Sequence, residues 1–409
     1  MACLHSVSKC AALIFVVLLT LNECNCKTIP RHIDLLYDPD MGRNVSLLIS
    51  SKGYPVEDHY VQTKDGFILS MQRIPHGKVN KNTGPKDVVF LQHGLLSASS
   101  DWVINFPNES LGFILADAGY DVWMGNVRGN TYSRRNVNYT PDKKEFWNFS
   151  FDEIAERDLP AMIDYVLNST GQKDLFYVGH SQGTTVAFAL LSEKPEYNEK
   201  IRLFVALAPV TTVGYITSAI SYLAPFTSEV DFLFKLLGVN EFLPNSELMK
   251  LLSEFVCDTR ERFICEDVMF LFFGTDLKEL NETRMAVYSA HTPAGTSTKS
   301  IVHFAQMVNS KKFLKYDYGK KGNQLNYNQP TPPEYDVSKI TTPVALIWSL
   351  NDKLADPTDV GLLQKKLRSM VSSSCVSFPL FNHGDFVLAV DAPKLVYNEV
   401  LGLFQRFSH

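Results

Sequence analysis

The 409-residue chain has no long run of basic residues, and its formal net charge is −5. A partner held mainly through a phosphate backbone needs clustered Lys and Arg, so no nucleic-acid partner is expected. There is no P-loop, no dinucleotide-binding glycine fingerprint and no C-x-x-C pair, and therefore no cofactor is implied. Asp38-Pro-Asp40-Met-Gly42 has neither the spacing nor the downstream Glu of a calcium loop, so no metal site is expected. Internal repeats and low-complexity tracts are also missing. No apolar run reaches the ~20 residues that cross a bilayer, so no transmembrane segment is expected.

Cysteine is sparse and unevenly placed. Cys3, Cys10, Cys24 and Cys26 fall in a leader with a weakly basic start ending at Lys9 and an apolar run from Cys10 to Leu21 broken only by Thr20. That pattern reads as a signal peptide over residues 1–26, with the mature chain starting near Lys27. Removing it leaves Cys257, Cys265 and Cys375. In an oxidising compartment Cys257 and Cys265 form the natural pair, and Cys375 is left free, expected as a small buried hydrophobe on a strand. Six N-x-S/T sequons, at Asn44, Asn108, Asn138, Asn148, Asn168 and Asn281, support export and glycosylation.

What is present is an ordinary globular composition, 45% hydrophobic and 20% charged. Short, almost wholly apolar runs recur at Asp87–Gln92, Tyr120–Met124, Leu175–Val178, Leu203–Leu207 and Pro343–Trp348. Apolar runs without alternation belong to strands covered on both faces, hence to a mostly parallel central sheet flanked by helices in an α/β fold. Ser150-Phe-Asp-Glu153 is a capping-box pattern, and Ile154, Leu159, Met162, Ile163 and Val166 follow at helical spacing, with Pro160 placed to kink the helix. From Thr212 to Ser338 the strand-helix rhythm gives way to apolar clusters and turns. This predicts a core over 27–211 and 339–409, interrupted by a largely helical cap with a lid over 212–338.

The chemistry begins directly after the run ending at Val178. Gly179-His180-Ser181-Gln182-Gly183 lies between a strand and a helix-forming segment, the context in which a G-x-S-x-G pentapeptide lifts its Ser above the sheet. Ser181 is the candidate nucleophile, with Gly179, His180 and Gly183 shaping the elbow. A Ser hydroxyl needs a base, and the base needs an acid that fixes its tautomer. Of the downstream histidines, His291 and His303 fall in the insertion and His409 is terminal. His383, in a loop after an extended segment, is the candidate base. Asp352 is the first carboxylate after the Pro343–Trp348 run and the preferred acid, with Asp356 its rival. One oxyanion donor is the Gln182 N–H, and the other comes from the His93-Gly94-Leu95-Leu96 loop. His93 is expected to orient or pack, and His180 to neighbour the nucleophile.

His93-Gly-Leu-Leu96, Gly125-Asn-Val-Arg-Gly-Asn130, Gly179-His-Ser-Gln-Gly-Thr184, Ala208-Pro209, Ala355-Asp-Pro357 and Asn382-His383 together resemble the acid lipase family that includes gastric and lysosomal acid lipases. The resemblance also takes in Gly53-Tyr-Pro55 and His291-Thr-Pro-Ala-Gly-Thr296. It implies an α/β-hydrolase core with a mobile lid, no metal, Ser181 with Asp352 and His383 as the reacting set, and Leu95 beside Gln182 as the oxyanion hole. It also implies a cap disulfide, for which Cys257 and Cys265 are available at a spacing one residue short of the usual. Gly384 stands where the family commonly has Leu. The expected partner is a neutral lipid at a lipid–water interface, triacylglycerol or cholesteryl ester, and the expected destination is secretion or the lysosome. A carboxylesterase acting on short soluble esters and a non-catalytic lipid-binding protein are the alternatives.

Overall fold

The computed structural model describes residues 38–79, 84–218, 238–245 and 278–408, together with 221, 224, 225, 227, 231, 234 and 276. The expected signal peptide, Cys257, Cys265 and His409 lie outside the described residues.

The strands are β1 Glu57–Gln62, β2 Phe67–Ile74, β3 Val88–Gln92, β4 Asp121–Gly125, β5 Arg135–Asn136, β6 Leu175–His180, β7 Ile201–Leu207, β8 Glu241–Phe242, β9 Thr296–Ser297, β10 Val344–Trp348 and β11 Met370–Cys375. One sheet runs β1-β2-β4-β3-β6-β7-β10-β11, with β5 paired to β2, and β8 pairs separately with β9. From β4 to β11 every neighbouring pair is parallel, whereas β2 runs antiparallel to β1 and β4. All five expected apolar runs are strands of the parallel part, and β3, β4 and β6 are buried at every residue. Their Val, Phe and Leu side chains are covered on both faces, each worth roughly 1.5–3 kcal/mol relative to exposure. Phe176 of β6, for example, stacks on Phe404 of the C-terminal helix Asn398–Phe407 at 4.3 Å between ring centroids.

At the far edge, β11 pairs with β10 and alternates half-buried with exposed residues. Cys375 ends this strand and is exposed, which corrects the expectation of burial. The extended run was expected from Cys375 to Leu380, whereas β11 ends at Cys375; an edge strand has one solvated face, and the thiol lies on it.

The segment after Ser150 is helical. The Glu153 carboxylate accepts the Ser150 N–H at 2.7 Å, as a capping box requires. The helix then widens over Ile154–Asp158 and resumes as Leu159–Thr170 with Pro160 in its first turn. Proline has no N–H for the carbonyl of Glu156, four residues back, and Lys194 Nζ takes that carbonyl at 2.7 Å instead. The anticipated kink is thus a wide turn whose freed acceptor is satisfied by the residue that ends the helix Gln182–Glu193.

Within 212–338 the described elements include the β8–β9 ribbon and the helices Met285–His291, Thr298–Ser310 and Gly319–Tyr327. Met307, Phe313, Tyr335 and Val337 pack into the same hydrophobic core as the central sheet. Among the described residues no helix is long and apolar enough to cross a membrane.

Candidate active site

Because β3, β6, β10 and β11 are parallel, their carboxyl ends lie on one edge of the sheet, where ligands of open α/β folds collect. Four loops leaving that edge carry the candidate residues. Ser181 sits between β6 and the helix Gln182–Glu193 with φ 53° and ψ −120°, a strained backbone for any residue but glycine. The strain is held by hydrogen bonds: the Ser181 N–H donates to Leu207 O at 3.1 Å, and Thr184 N–H donates to Ser181 O at 2.8 Å. A Cβ at Gly183 would stand 2.2 Å from Gln92 O, so this flanking position admits glycine alone. Gly179 is nearly as tight, 2.6 Å from Gly183 O.

His383 Nε2 lies 2.8 Å from Ser181 Oγ, and His383 Nδ1 lies 2.8 Å from Asp352 Oδ2 and 3.0 Å from Oδ1. A carboxylate accepts, so Nδ1 carries the proton and Nε2 offers its lone pair to the hydroxyl. Asp352 is itself oriented by the N–H groups of Leu354 and Ala355, which donate to Oδ1 at 2.8 and 2.7 Å. Asp352 and His383 are almost fully buried, 2% and 3% exposed. Asp356 is not part of this chain of bonds. It caps the helix Pro357–Lys366 by accepting the Thr358 N–H at 2.8 Å.

The Leu95 loop passes against Ser181, since a Cβ built on Gly94 would lie 3.1 Å from Ser181 Cβ. Leu96 adopts φ 60°, and its carbonyl accepts the Ala294 N–H at 2.7 Å. Gln182 opens its helix, where the first N–H groups have no intrahelical acceptor. The Gln182 N–H thus borders Ser181 at a helix start, and Leu95 follows Gly94 in the loop that packs against Ser181.

His93 supports this loop. Its Nδ1–H donates to Gly94 O at 2.8 Å, while Nε2 accepts from Val127 N at 3.3 Å and Asn130 Nδ2 at 3.2 Å. Burial pushes its pKa down to about 4, against the Gly94 hydrogen bond, so the ring is a neutral strut. His180 is neutral for the same reason, lowered to about 3 by burial and by the neighbouring His383. Its Nε2–H donates to the His383 carbonyl at 2.9 Å.

Sequence reasoning gave Asn126, Arg128 and Asn130 no task of their own, although they follow a strand end between glycines. Asn126 Nδ2 donates to Ser70 O, Gln72 Oε1 and Ser99 Oγ, and its Oδ1 accepts from Ser99 N and Asn130 Nδ2 at 2.9 and 3.0 Å. Arg128 is buried between Asp158 and Asp65, whose carboxylates it meets at 2.6 and 2.7 Å. These bonds tie β2 and the chain after β4 to Ser99, Asp65 and Asp158. Polar residues packed after a buried strand were the available signal.

The remaining histidines lie elsewhere. His291 Nε2 donates to Asp40 O at 2.9 Å, and His303 stacks on Phe151 at 3.9 Å and donates to Leu314 O at 2.9 Å.

Residues 87–389 match the family described as alpha/beta hydrolase fold, and residues 45–106 match the partial alpha/beta-hydrolase lipase region. The chain is 48% identical to gastric triacylglycerol lipase of Rattus norvegicus, over 90% of this chain and 92% of that protein. It is 45% identical to lysosomal acid lipase/cholesteryl ester hydrolase of Homo sapiens, over 91% of this chain and 93% of that protein. A solved structure of a soluble variant of monoglyceride lipase from Saccharomyces cerevisiae shares the fold with a TM-score of 0.55 at 15% identity, covering 87% of this chain and 96% of that one. An identity this high over nearly the whole length means that the chain belongs to the gastric and lysosomal acid lipase family of α/β-hydrolases.

Proposed function

We propose that this protein is a lipase that hydrolyses fatty-acyl esters of neutral lipids, triacylglycerol or cholesteryl ester, through an acyl-enzyme on Ser181. The observation that carries the reading is the unbroken run of hydrogen bonds from Ser181 Oγ through His383 to Asp352. Ser181 Oγ attacks the ester carbonyl carbon while His383 Nε2 takes its proton, and the carbonyl oxygen becomes an anion facing the Leu95 and Gln182 N–H groups. Collapse of that intermediate breaks the C–O bond to the alcohol, which leaves with the proton from His383. Water, deprotonated by the same nitrogen, then attacks the acyl carbon, and the fatty acid departs as Ser181 regains its hydrogen. Each oxyanion donor is expected to supply on the order of 10²–10³ in kcat.

The segment 212–338 is read as the cap over the acyl chain, and a neutral lipid at an interface as its partner. The names of the relatives, gastric and lysosomal, favour a secreted or lysosomal destination. Glycosylation agrees with the placement of the sequons: Asn44, Asn108, Asn138, Asn148 and Asn168 are exposed and Asn281 is half-buried. At Asn44 the side-chain oxygen caps a helix by accepting the Leu47 N–H, which leaves the nitrogen for a glycan. The cap disulfide Cys257–Cys265 and the signal peptide remain parts of this reading.

The test is hydrolysis of emulsified long-chain triacylglycerol and cholesteryl ester beside a short soluble ester. Wild type is expected to cleave the emulsions and Ser181→Ala none of them. Equal activity of the two chains refutes the reading, and cleavage of the soluble ester alone makes the protein a carboxylesterase.

A further inference from the structure

We propose that Asp385 and Asp276 share a single proton, and that this carboxyl pair positions the turn that carries His383. The proposal rests on His383 being the base. That residue sits in a turn closed by reciprocal bonds: Asp385 Oδ2 accepts the Asn382 N–H at 2.6 Å, and Asn382 Oδ1 accepts the N–H groups of Gly384 and Asp385 at 2.8 and 3.3 Å. One carboxylate oxygen of Asp385 is thus committed to the turn.

The other, Oδ1, is buried with no donor among the described residues, and the whole residue is 0% exposed. Asp276, also 0% exposed, shows the same division. Its Oδ1 accepts from the N–H groups of Lys278 and Glu279 at 2.8 and 3.3 Å, and its Oδ2 is buried with no donor among the described residues. These two carboxyl groups are hydrogen-bonding neighbours. Two bare carboxylates in a dry site repel each other, whereas one proton between them makes an O–H···O⁻ bond, short and strong. Asp276 belongs to a strap laid along the helix Asp385–Leu388 and the chain after it. Val390 N–H donates to Glu279 O at 2.9 Å, Asp391 N–H donates to Glu279 Oε2 at 3.1 Å, and Leu280 bridges to Ala389.

Other titratable groups around this contact are Glu279, Lys278 and Asp391 on the strap and its partner, Asp101 on the turn packed against the helix, Tyr397 bonded to Phe386 O, and His180 beside the Phe386 ring. Burial, with Asp276 and Glu279 adding negative charge, raises the Asp385 carboxyl from 3.8 to about 8. A carboxyl raised on folding stabilises the native state below its unfolded pKa, and that stabilisation is lost as pH climbs through the raised value. The pair therefore fastens the strap and the His383 turn in acid and loosens both toward about pH 8.

Asp276→Asn and Asp385→Asn each supply a permanent N–H in place of the shared proton. In the Ser181→Ala background, whose stability owes nothing to turnover, Tm is expected to fall between about pH 5 and about pH 8, and to fall less once either Asn is added. In the active chain the alkaline limb of kcat on triacylglycerol emulsion is expected to move up by about one pH unit or more in both variants, with KM unchanged. A Tm slope as steep as the parent's and an unmoved limb in both variants overturn the proposal. If Ser181→Ala retains hydrolysis while the Tm slope still flattens, the acyl-enzyme reading fails and the shared proton stands.

Discussion

His180 Nε2 donates a hydrogen bond to the backbone carbonyl of His383 at 2.9 Å, joining the pentapeptide to the loop of the proposed base. The first pentapeptide variable position thus fixes where the imidazole of His383 can lie. His180→Gln keeps a donor at similar reach, whereas His180→Phe fills the space without one. Wild-type-like kcat is expected for Gln and roughly tenfold lower kcat at unchanged KM for Phe, the cost of a misplaced base. Equal kcat values for the two variants would show that the bond does not position His383.

The two aspartates after β10 separate cleanly. Asp352→Asn is expected to lower kcat by about 10⁴ because the wrong His383 tautomer then faces Ser181. Asp356→Ala removes only the cap on Thr358 N and is expected to cost about 1 kcal/mol in denaturant unfolding with activity retained. The pair of assays assigns the acid directly.

Asn126 is a buried hub, and Asn126→Ala takes the acceptor from Ser99 N–H and one donor each from Ser70 O and Gln72 Oε1, which keep the Asn126 N–H and the Ser99 hydroxyl. A loss of about 3 kcal/mol is expected from urea titration, together with a fall in kcat as the loop bearing Leu95 loses its support. Stability within about 0.5 kcal/mol of wild type would mean that the hub is dispensable.

Cys375 is exposed at the end of β11, with its thiol pKa raised by partial burial. Native protein is expected to take up one equivalent of a small maleimide there, slowly at neutral pH, and Cys375→Ser to abolish the uptake without loss of activity. Mass spectrometry of the labelled peptide decides it.

The fold was legible where burial is symmetrical. The apolar runs of β3, β4, β6, β7 and β10 mark strands covered on both faces, and that sufficed for the parallel sheet. The strands β1 and β2 escaped notice because Glu57-Asp-His-Tyr-Val-Gln62 is a polar edge and β2 mixes Ser, Gln and Arg into its burial. Cys375 was misplaced for the same reason, since a string does not say which strand lies at an edge. In the site, chain order and strand context brought Ser181, Asp352 and His383 into view, and the structure brings them within hydrogen-bond reach of one another. The contacts that hold them were not legible. The bonds of His180 to His383, of Asn130 to His93 and of Asp276 to Asp385 join residues far apart in sequence, and only tertiary packing defines such pairs.

Leu96 O, at the turn beside Ser181, accepts the N–H of Ala294, while Met307 and Phe313 further along the same segment belong to the core that the sheet shares. Anyone recombining this protein with a relative should therefore carry residues 285–338 along with the central sheet as one inheritance. A chimera cut at 212 and 339 would replace wall and foundation together, and one cut ahead of 278 would leave the Leu96 turn with the neighbour it was fitted to.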